Sequence, residues 1–405
     1  MNNLPEDVSF RKLPTRPAAG RMKDLVEEFW DLPLVETLHQ QGLRKSPDDF
    51  RDALHQFLGR RGRLLLTGSA RQALRIVLTR AAAGSPKRRV LLASFNCRVV
   101  REAVRRARLV ADTFDFATPN GRIDWEAVAS RLTSEHLAIV VPHFFGIPTD
   151  FTALLPGARR NGVMIIEDCA HALGASIAGT TAGLLGDAAV FSFNYDKPIS
   201  LAGGGALLLN HPAIDIDRDT LEVPPPDQVE LRQFRQMAAM LRYSRTWRER
   251  RPLAARVGAR LHILPYAPPR LPTGVGSLRA AVGIWQLERY HEVRDHRNRN
   301  ARFLQDSLGR ISWHVAGTVK PAHLKLRVVV SQEDGARAVQ HCRQHGITIA
   351  NSNWARLIEP DEPGSEPLNA ARAAAFGLEV PVHQNLSRAD LEVIASAFVN
   401  AQAPD

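Results

Sequence analysis

The chain is predicted to be an α/β protein: a large domain on a mostly parallel sheet flanked by helices, then a smaller C-terminal α+β domain. Three observations carry this prediction. From residue 64 to about 210, short apolar runs alternate with helix-period patterns, as expected for successive βα units in a parallel sheet. The 405 residues suffice for one large core and one smaller one. From Ser277 onward the alternation gives way to a long helical pattern followed by mixed strands and helices.

The elements follow in order. "RLLLTG" reads as a strand leading into the helix "SARQALRIVLTRAAA", with Leu74, Val77 and Leu78 on one face. "RVLLASF" is a strand, "VVREAVRRARL" a helix, "VADTFDF" a strand and "DWEAVASRL" a helix. "LAIVVPHFFG" and "VMIIEDCA" are buried strands, separated by a helix over "DFTALLPGARRNG" that ends at Gly162. Residues 211–275 change character: the Pro-rich stretches "EVPPPDQ" and "LPYAPPRLPTGVG" bracket an Arg-rich helical segment, a connector or a cover over the site. "SLRAAVGIWQLERYHEVRDHRNRNARFLQDSL" is expected to be one long amphipathic helix; "KLRVVVS", "DGARAVQHCRQHG" and "SRADLEVIASAFVNA" then supply a strand and two helices. The expected division is an N-terminal arm with helices over residues 1–60, a large domain over 61–275 and a small domain over 276–405.

Composition excludes several classes. Hydrophobic residues at 44% and charged residues at 23% are ordinary for a globular protein. The net charge of +11 comes from short, scattered basic clusters such as "RYSRTWRERR". No helix-turn-helix, zinc-ligand spacing or aromatic–basic strand motif accompanies it, so no nucleic-acid partner is expected. Cys97, Cys169 and Cys342 are widely spaced and form no CxxC pair, which fits reduced thiols in the cytoplasm. The first residues lack a signal-peptide core, and no run approaches the ~18 apolar residues of a membrane span.

Chemistry concentrates where strands end, the side on which open α/β sheets bind ligands. In "VMIIEDCAHALGA" the strand runs out at Glu167 and Asp168, with His171 three residues on. Alone, Asp168 would serve as a salt bridge or cap, His171 as a core histidine, and the two together resemble a D-x-x-H metal pair without a third ligand. "LLTGSA" puts Gly68 and Ser69 at a strand-to-helix turn suited to a phosphate. In "AVFSFNYDKPISLAGGGALLLN", Ser192 precedes Lys197 by five residues and a glycine run follows. Lys197 is the only lysine between Lys87 and Lys320 in a chain that favours arginine. A lysine amine can form an imine with an aldehyde; a guanidinium stays protonated and does not. A phosphate turn, an anion and then a lysine is the set pyridoxal 5'-phosphate requires.

With these residues, the chain resembles the DegT/DnrJ/StrS family of sugar aminotransferases. They are pyridoxal-phosphate enzymes of fold type I, similar to aspartate aminotransferase. The resemblance is carried in order by "TGSA", "VPHFFGIPTDF", "IIEDCAHALGASIAGTTAGLLGDAAVFSFNYDKPISLAGGGALLL", "SLRAAVGIWQLERY" and "LEVPVHQNLSRADLEVI". It implies that Lys197 bonds covalently to the cofactor and that Asp168 holds the pyridine nitrogen. His171 would contact the ring or its 3-oxygen, and Ser192, Gly68 and Ser69 the phosphate. It further implies a glutamate or glutamine amino donor, a keto-sugar acceptor, commonly nucleotide-linked, and a homodimer with shared sites. Dehydratases of the family carry histidine in place of the lysine, so Lys197 argues against that activity. Three departures touch the acceptor side more than the cofactor side. The glycine run lacks the glutamate many relatives have, and "PTGVGS" replaces Asn-Tyr-Arg. "SFNCR" offers only Phe95 where an aromatic often stacks on the cofactor near the position of Cys97. A non-nucleotide ketone such as a cyclitol is therefore the alternative acceptor.

Overall fold

The computed structural model describes residues 32–212, 214–216, 224–250, 274–309, 319–351, 355–362, 366–399 and 401. The expected arm before residue 32 and the second Pro-rich stretch up to residue 273 lie outside the described residues.

Two helices, α1 (Leu32–Gln40) and α2 (Pro47–Phe57), precede strand β1 (Arg63–Thr67) and helix α3 (Ala70–Ala83). Ser46 and Asp49 form a reciprocal capping box at the start of α2, which fixes where that helix begins. Strands β2 (Arg89–Ala93) and β3 (Phe95–Cys97) lead into α4 (Arg98–Arg106), β4 (Val110–Phe114) and α5 (Trp125–Ser130). Strand β5 (His136–Pro142) is followed by α6 (Leu155–Asn161) and β6 (Met164–Asp168). Gly162 caps α6 in the left-handed region, φ 57°, so the helix stops where the sequence predicts, though it is only seven residues long. A small hairpin, β7 (Ser176–Ile177) and β8 (Thr180–Thr181), precedes β9 (Ala188–Ser192) and β10 (Gly205–Leu209).

The main sheet has the order β1-β10-β9-β6-β5-β2-β4. Strands β4, β2, β5, β6 and β9 are mutually parallel; β10 runs antiparallel to both β9 and β1. Side chains alternate across each strand. Leu65, Val90, Leu92 and Val190 join α3 and α4 in one core, while Leu64, Ala189 and Phe191 pack with α1 and α2 on the opposite face.

Helix α7 (Asp227–Arg250) occupies the Arg-rich segment, and α8 (Ser277–Leu308) runs for 32 residues, about 48 Å. The sequence suggests an amphipathic α8, yet its first turns are buried all round: Leu278 through Gly283 are consecutively covered. The cause is packing on several sides. Phe50 of α2 lies so close to Gly283 that an added Cβ would sit 2.5 Å from its ring, and Leu231 and Phe234 of α7 share the same core. Farther along, Ala301, Leu304 and Leu308 enter a second core.

That second core belongs to the C-terminal part. Strands β11 (Val319–Lys320) and β12 (Leu326–Val329) are followed by α9 (Gln332–Gln344), β13 (Ala350–Asn351), β14 (Ala355–Leu357), α10 (Leu368–Phe376), β15 (Gly377–Val380) and α11 (Arg388–Ser396). β12, β15 and β13 form an antiparallel sheet, β11 pairs with β7, and β14 pairs with β3 of the large part.

Candidate active site

The parallel strands all end on one side, and register aligns those ends. Asp168, the last residue of β6, lies between Pro142 of β5 and Val190 of β9. Ser192 closes β9 opposite Gly205, which in turn faces Thr67, the last residue of β1. Ser69 bridges Gly204 and caps α3, its hydroxyl accepting the Gln72 N–H at 3.2 Å. A side chain at Gly205 would meet Ala70 N at 2.5 Å, so glycine is what lets β10 press against the start of α3. The first-turn N–H groups of α3 thereby sit at the edge of the cleft, beside Ser69 and near Ser192. The Gly68 N–H is already committed to Gln72 Oε1 at 2.7 Å.

Lys197 sits at the tip of a loop closed at its base by Phe193, whose carbonyl accepts from Leu201 N and Gly203 N and whose N–H donates to Gly204 O. Lys197 Nζ lies 2.8 Å from His171 Nε2 and 3.5 Å from Asp196 Oδ2. The Phe145 N–H points at His171 Nδ1, 3.3 Å away. A backbone amide can only donate, so Nδ1 carries the lone pair and the neutral ring has its hydrogen on Nε2. Burial, reinforced by the positive charges of Lys197 and Lys325, holds His171 well below the usual histidine range and keeps the ring neutral.

Two carboxylates flank this pair. Burial raises the Asp168 carboxyl, opposed by the Ala170 N–H and the charge of Lys197; the Ala170 N–H lies 3.1 Å from Oδ1. A half-buried acid with so little compensation suits a cationic partner. Burial also penalises Asp196, but the charges of Lys197 and Lys325 outweigh it and hold its carboxyl below the usual range.

The lysine loop is gripped from behind. Arg279, fully buried, donates to Leu201 O at 2.8 Å and Ala202 O at 3.2 Å, and is paired with Glu230 at 3.2 Å. Glu230 also accepts the N–H groups of Gly276, Leu278 and Arg279, capping α8. Gln286 exchanges two hydrogen bonds with the Ser200 backbone, 2.9 and 2.7 Å. Ala202 is held at φ 53°, a conformation non-glycine residues adopt at a cost of about 1–3 kcal/mol.

Beneath Asp168, Glu167 is almost fully buried and accepts from His143 Nε2 at 2.9 Å and from the N–H groups of Gly183, Leu185 and Gly186. His143, Glu167 and Cys169 lie close enough to hold a metal. Their donors are committed, because His143 Nδ1 also accepts the Thr149 N–H and burial pushes the Cys169 thiol well up. The cluster pins the 183–186 loop to β6.

The structure thus brings Lys197, His171 and Asp168 around one point, with Ser69 and Ser192 at the neighbouring strand ends. Phe95 is elsewhere. Its ring is fully buried against Phe116, Phe144 and the Arg327 guanidinium; Cys97, two residues on, is the side chain that feels the charges of Lys197 and Asp168. Sequence reasoning passes over Asp196, although it adjoins Lys197. It also passes over Lys325, a buried lysine in an arginine-rich chain, and the Arg279–Glu230 pair, which nothing local announces.

The donor set fits pyridoxal phosphate: an amine with a neutral imidazole beside it, a half-buried carboxylate, and a helix N-terminus with serines. The fold is that of the pyridoxal-phosphate-dependent aminotransferases, a mostly parallel sheet flanked by helices. The chain belongs to the DegT/DnrJ/EryC1/StrS aminotransferase family, whose model matches residues 34–399. It is 35% identical over 82 residues to the UDP-N-acetyl-3-dehydro-alpha-D-glucosamine 3-aminotransferase of Acidithiobacillus ferrooxidans, covering 20% of this chain and 22% of that protein. It is 42% identical over 86 residues to the L-glutamine:scyllo-inosose aminotransferase of Streptomyces griseus, covering 21% of this chain and 20% of that one. The chain thus spans about a fifth of the length of each of these relatives. The solved structure of Spr1654 from Streptococcus pneumoniae in its PMP form matches with a TM-score of 0.70 at 16% identity, covering 93% of this chain and 96% of that one; a PLP form of it is also solved. No described helix is long and apolar enough to cross a membrane.

Proposed function

We propose that this protein is a pyridoxal-phosphate-dependent aminotransferase that moves an amino group from glutamate or glutamine to a nucleotide-linked keto-sugar. The observation that carries it is Lys197 Nζ held 2.8 Å from His171 at the ends of β6 and β9, beside Asp168. Bound cofactor would supply an aldehyde that takes up amines and a ring that withdraws electrons from the carbon bearing them.

The remaining work belongs to the chain. Lys197 anchors the cofactor, and its amine, once displaced by the donor, takes a proton from the substrate carbon and returns it at the other end of the transfer. His171, kept neutral, orients Nζ without competing for its proton. Asp168 holds the ring nitrogen in its protonated form, while Ser69, Ser192 and the α3 N-terminus hold the phosphate. Residues 61–275 would form the cofactor-binding domain and 276–405 the smaller domain, in a homodimer whose sites are shared. A cyclitol ketone is the second reading, favoured by the similarity to the scyllo-inosose enzyme.

The test is chemical. Borohydride reduction of the holoprotein, followed by peptide mapping, is expected to leave the cofactor mass on Lys197, and Lys197→Arg to abolish it. The yellow colour is expected to fade with glutamate or glutamine and to return with a keto-sugar nucleotide. Label on any other residue, or colour unmoved by both donors, would overturn the reading. Return only with a cyclitol ketone would select the second.

A further inference from the structure

Two histidines stand one turn apart at the C-terminal end of α9, in "HCRQH". His341 is half-buried; His345 is exposed and caps the helix. Positions i and i+4 share a helix face, and the two imidazole centres lie 4.7 Å apart with planes inclined by 35°. The proposed amino transfer uses neither ring.

Hydrogen bonds fix which nitrogen of each ring carries its lone pair. His345 Nδ1 lies 2.9 Å from His341 O. A carbonyl can only accept, so Nδ1 donates and the lone pair of the neutral ring is on Nε2. His341 Nε2 lies 3.1 Å from Ser396 Oγ of α11, whose own hydrogen goes to Val393 O at 2.9 Å. The serine oxygen therefore accepts from Nε2, and the lone pair of His341 is on Nδ1. Each ring has one nitrogen tied to an acceptor and one with no hydrogen-bond partner among the described residues. Metal-bound imidazoles are held in this way, the second nitrogen donating to an outer acceptor. The spacing agrees. Metal–nitrogen bonds of about 2.0–2.1 Å, at right-angled to tetrahedral geometry, place two ring centres about 4.5–5.2 Å apart. The observed 4.7 Å falls inside that span. The backbone need not move, and a turn about χ2, a soft torsion in histidine, aims both nitrogens at one point.

We infer that His341 and His345 form a surface site for a divalent transition-metal ion, with His341 Nδ1 and His345 Nε2 as its ligands. Among the described residues no carboxylate or thiol joins them as a third ligand, so the remaining positions take water. Imidazole suits Zn2+, Ni2+ and Cu2+, with Cu2+ held most tightly; Mg2+ asks for oxygen ligands and is not held. An ion here ties together the last turn of α9, where carbonyls lack partners within the helix and Gly346, at φ 74°, turns the chain away. The site is independent of the aminotransferase reading.

The full-length chain is titrated calorimetrically with Cu2+, Zn2+ and Mg2+ chlorides. Cu2+ is expected to bind more tightly than Zn2+, and Mg2+ to give no heat. His341→Ala and His345→Ala are each expected to weaken Zn2+ at least about tenfold, and the double variant to lose that binding. His296→Ala, which removes an exposed histidine of α8, is expected to bind Zn2+ as the native chain does. A thermal melt gives a second readout: Zn2+ well above its dissociation constant should raise the midpoint of the native chain and leave that of the double variant unchanged. Absence of Zn2+ and Cu2+ binding overturns the site. So does a double variant that binds Zn2+, or gains stability from it, as the native chain does.

Discussion

Replacing Glu230 by glutamine tests how the lysine loop is held. Glu230 is fully buried and accepts four hydrogen bonds: from the N–H groups of Gly276, Leu278 and Arg279, and from Arg279 Nη1, at 2.8–3.2 Å. A glutamine keeps one acceptor oxygen and turns an amide donor toward the remaining N–H groups. It also strips the counter-charge from Arg279, which is itself 0% exposed. Breaking one side of a buried ion pair costs about 3–5 kcal/mol, more than the ~1 kcal/mol of a typical single hydrogen bond. Burial already pushes Glu230 up and Arg279 down from their ordinary values, so the pair has little slack. Urea unfolding is expected to show a loss of about 3–5 kcal/mol with an unchanged m-value. Because Arg279 also holds Leu201 O and Ala202 O, the fraction of Lys197 that borohydride traps with cofactor should fall in the protein that remains folded. A loss below about 1 kcal/mol, or full trapping at native rate, would refute the clamp.

Other expectations are read the same way. Burial pushes His323 down to about 4. The unfolded chain takes up its proton below about pH 6.5 while the folded chain does not, so stability is lost as pH falls from 6.5 toward 4, about 2 kcal/mol by pH 5. Unfolding at pH 7 and 5 should show this loss, and His323→Gln should remove that part of it. Gly377→Ala would place a methyl 2.0 Å from Arg327 Nη2 and 2.5 Å from Ala373 O, and a loss of more than about 2 kcal/mol is expected in a thermal melt. Gly346→Ala, with nothing within 4 Å but φ 74°, should cost only about 1 kcal/mol.

What the sequence revealed depended on range. Apolar runs at strand spacing and the isolated Lys197 were local signals, and the parallel core of the sheet and the lysine loop follow from them. The antiparallel sense of β10 was not legible, because the glycine run that turns the chain says nothing about which strands it will meet. The same limit applies to β3 and β14, three residues each, whose pairing joins positions about 260 apart. Phe95 and Cys97 differ by two positions, so which of them approaches the cleft depends on that pairing. Ser69 was visible as a turn residue, but the hold of Gln72 on the Gly68 N–H needed the helix to be built.

Strand β1 is the first of the sheet in the chain, yet its only partner within that sheet is β10, the last. A nascent chain that has emerged only as far as residue 200 can assemble the parallel strands but leaves 63–67 without its neighbour. The N-terminus of α3 and the end of β9 reach their final separation only when residues 205–209 zip between them. Under the proposed function, competence to hold the cofactor would therefore arise late in synthesis, and carboxy-terminal truncation before residue 205 is expected to give a chain unable to hold it however well its helices form.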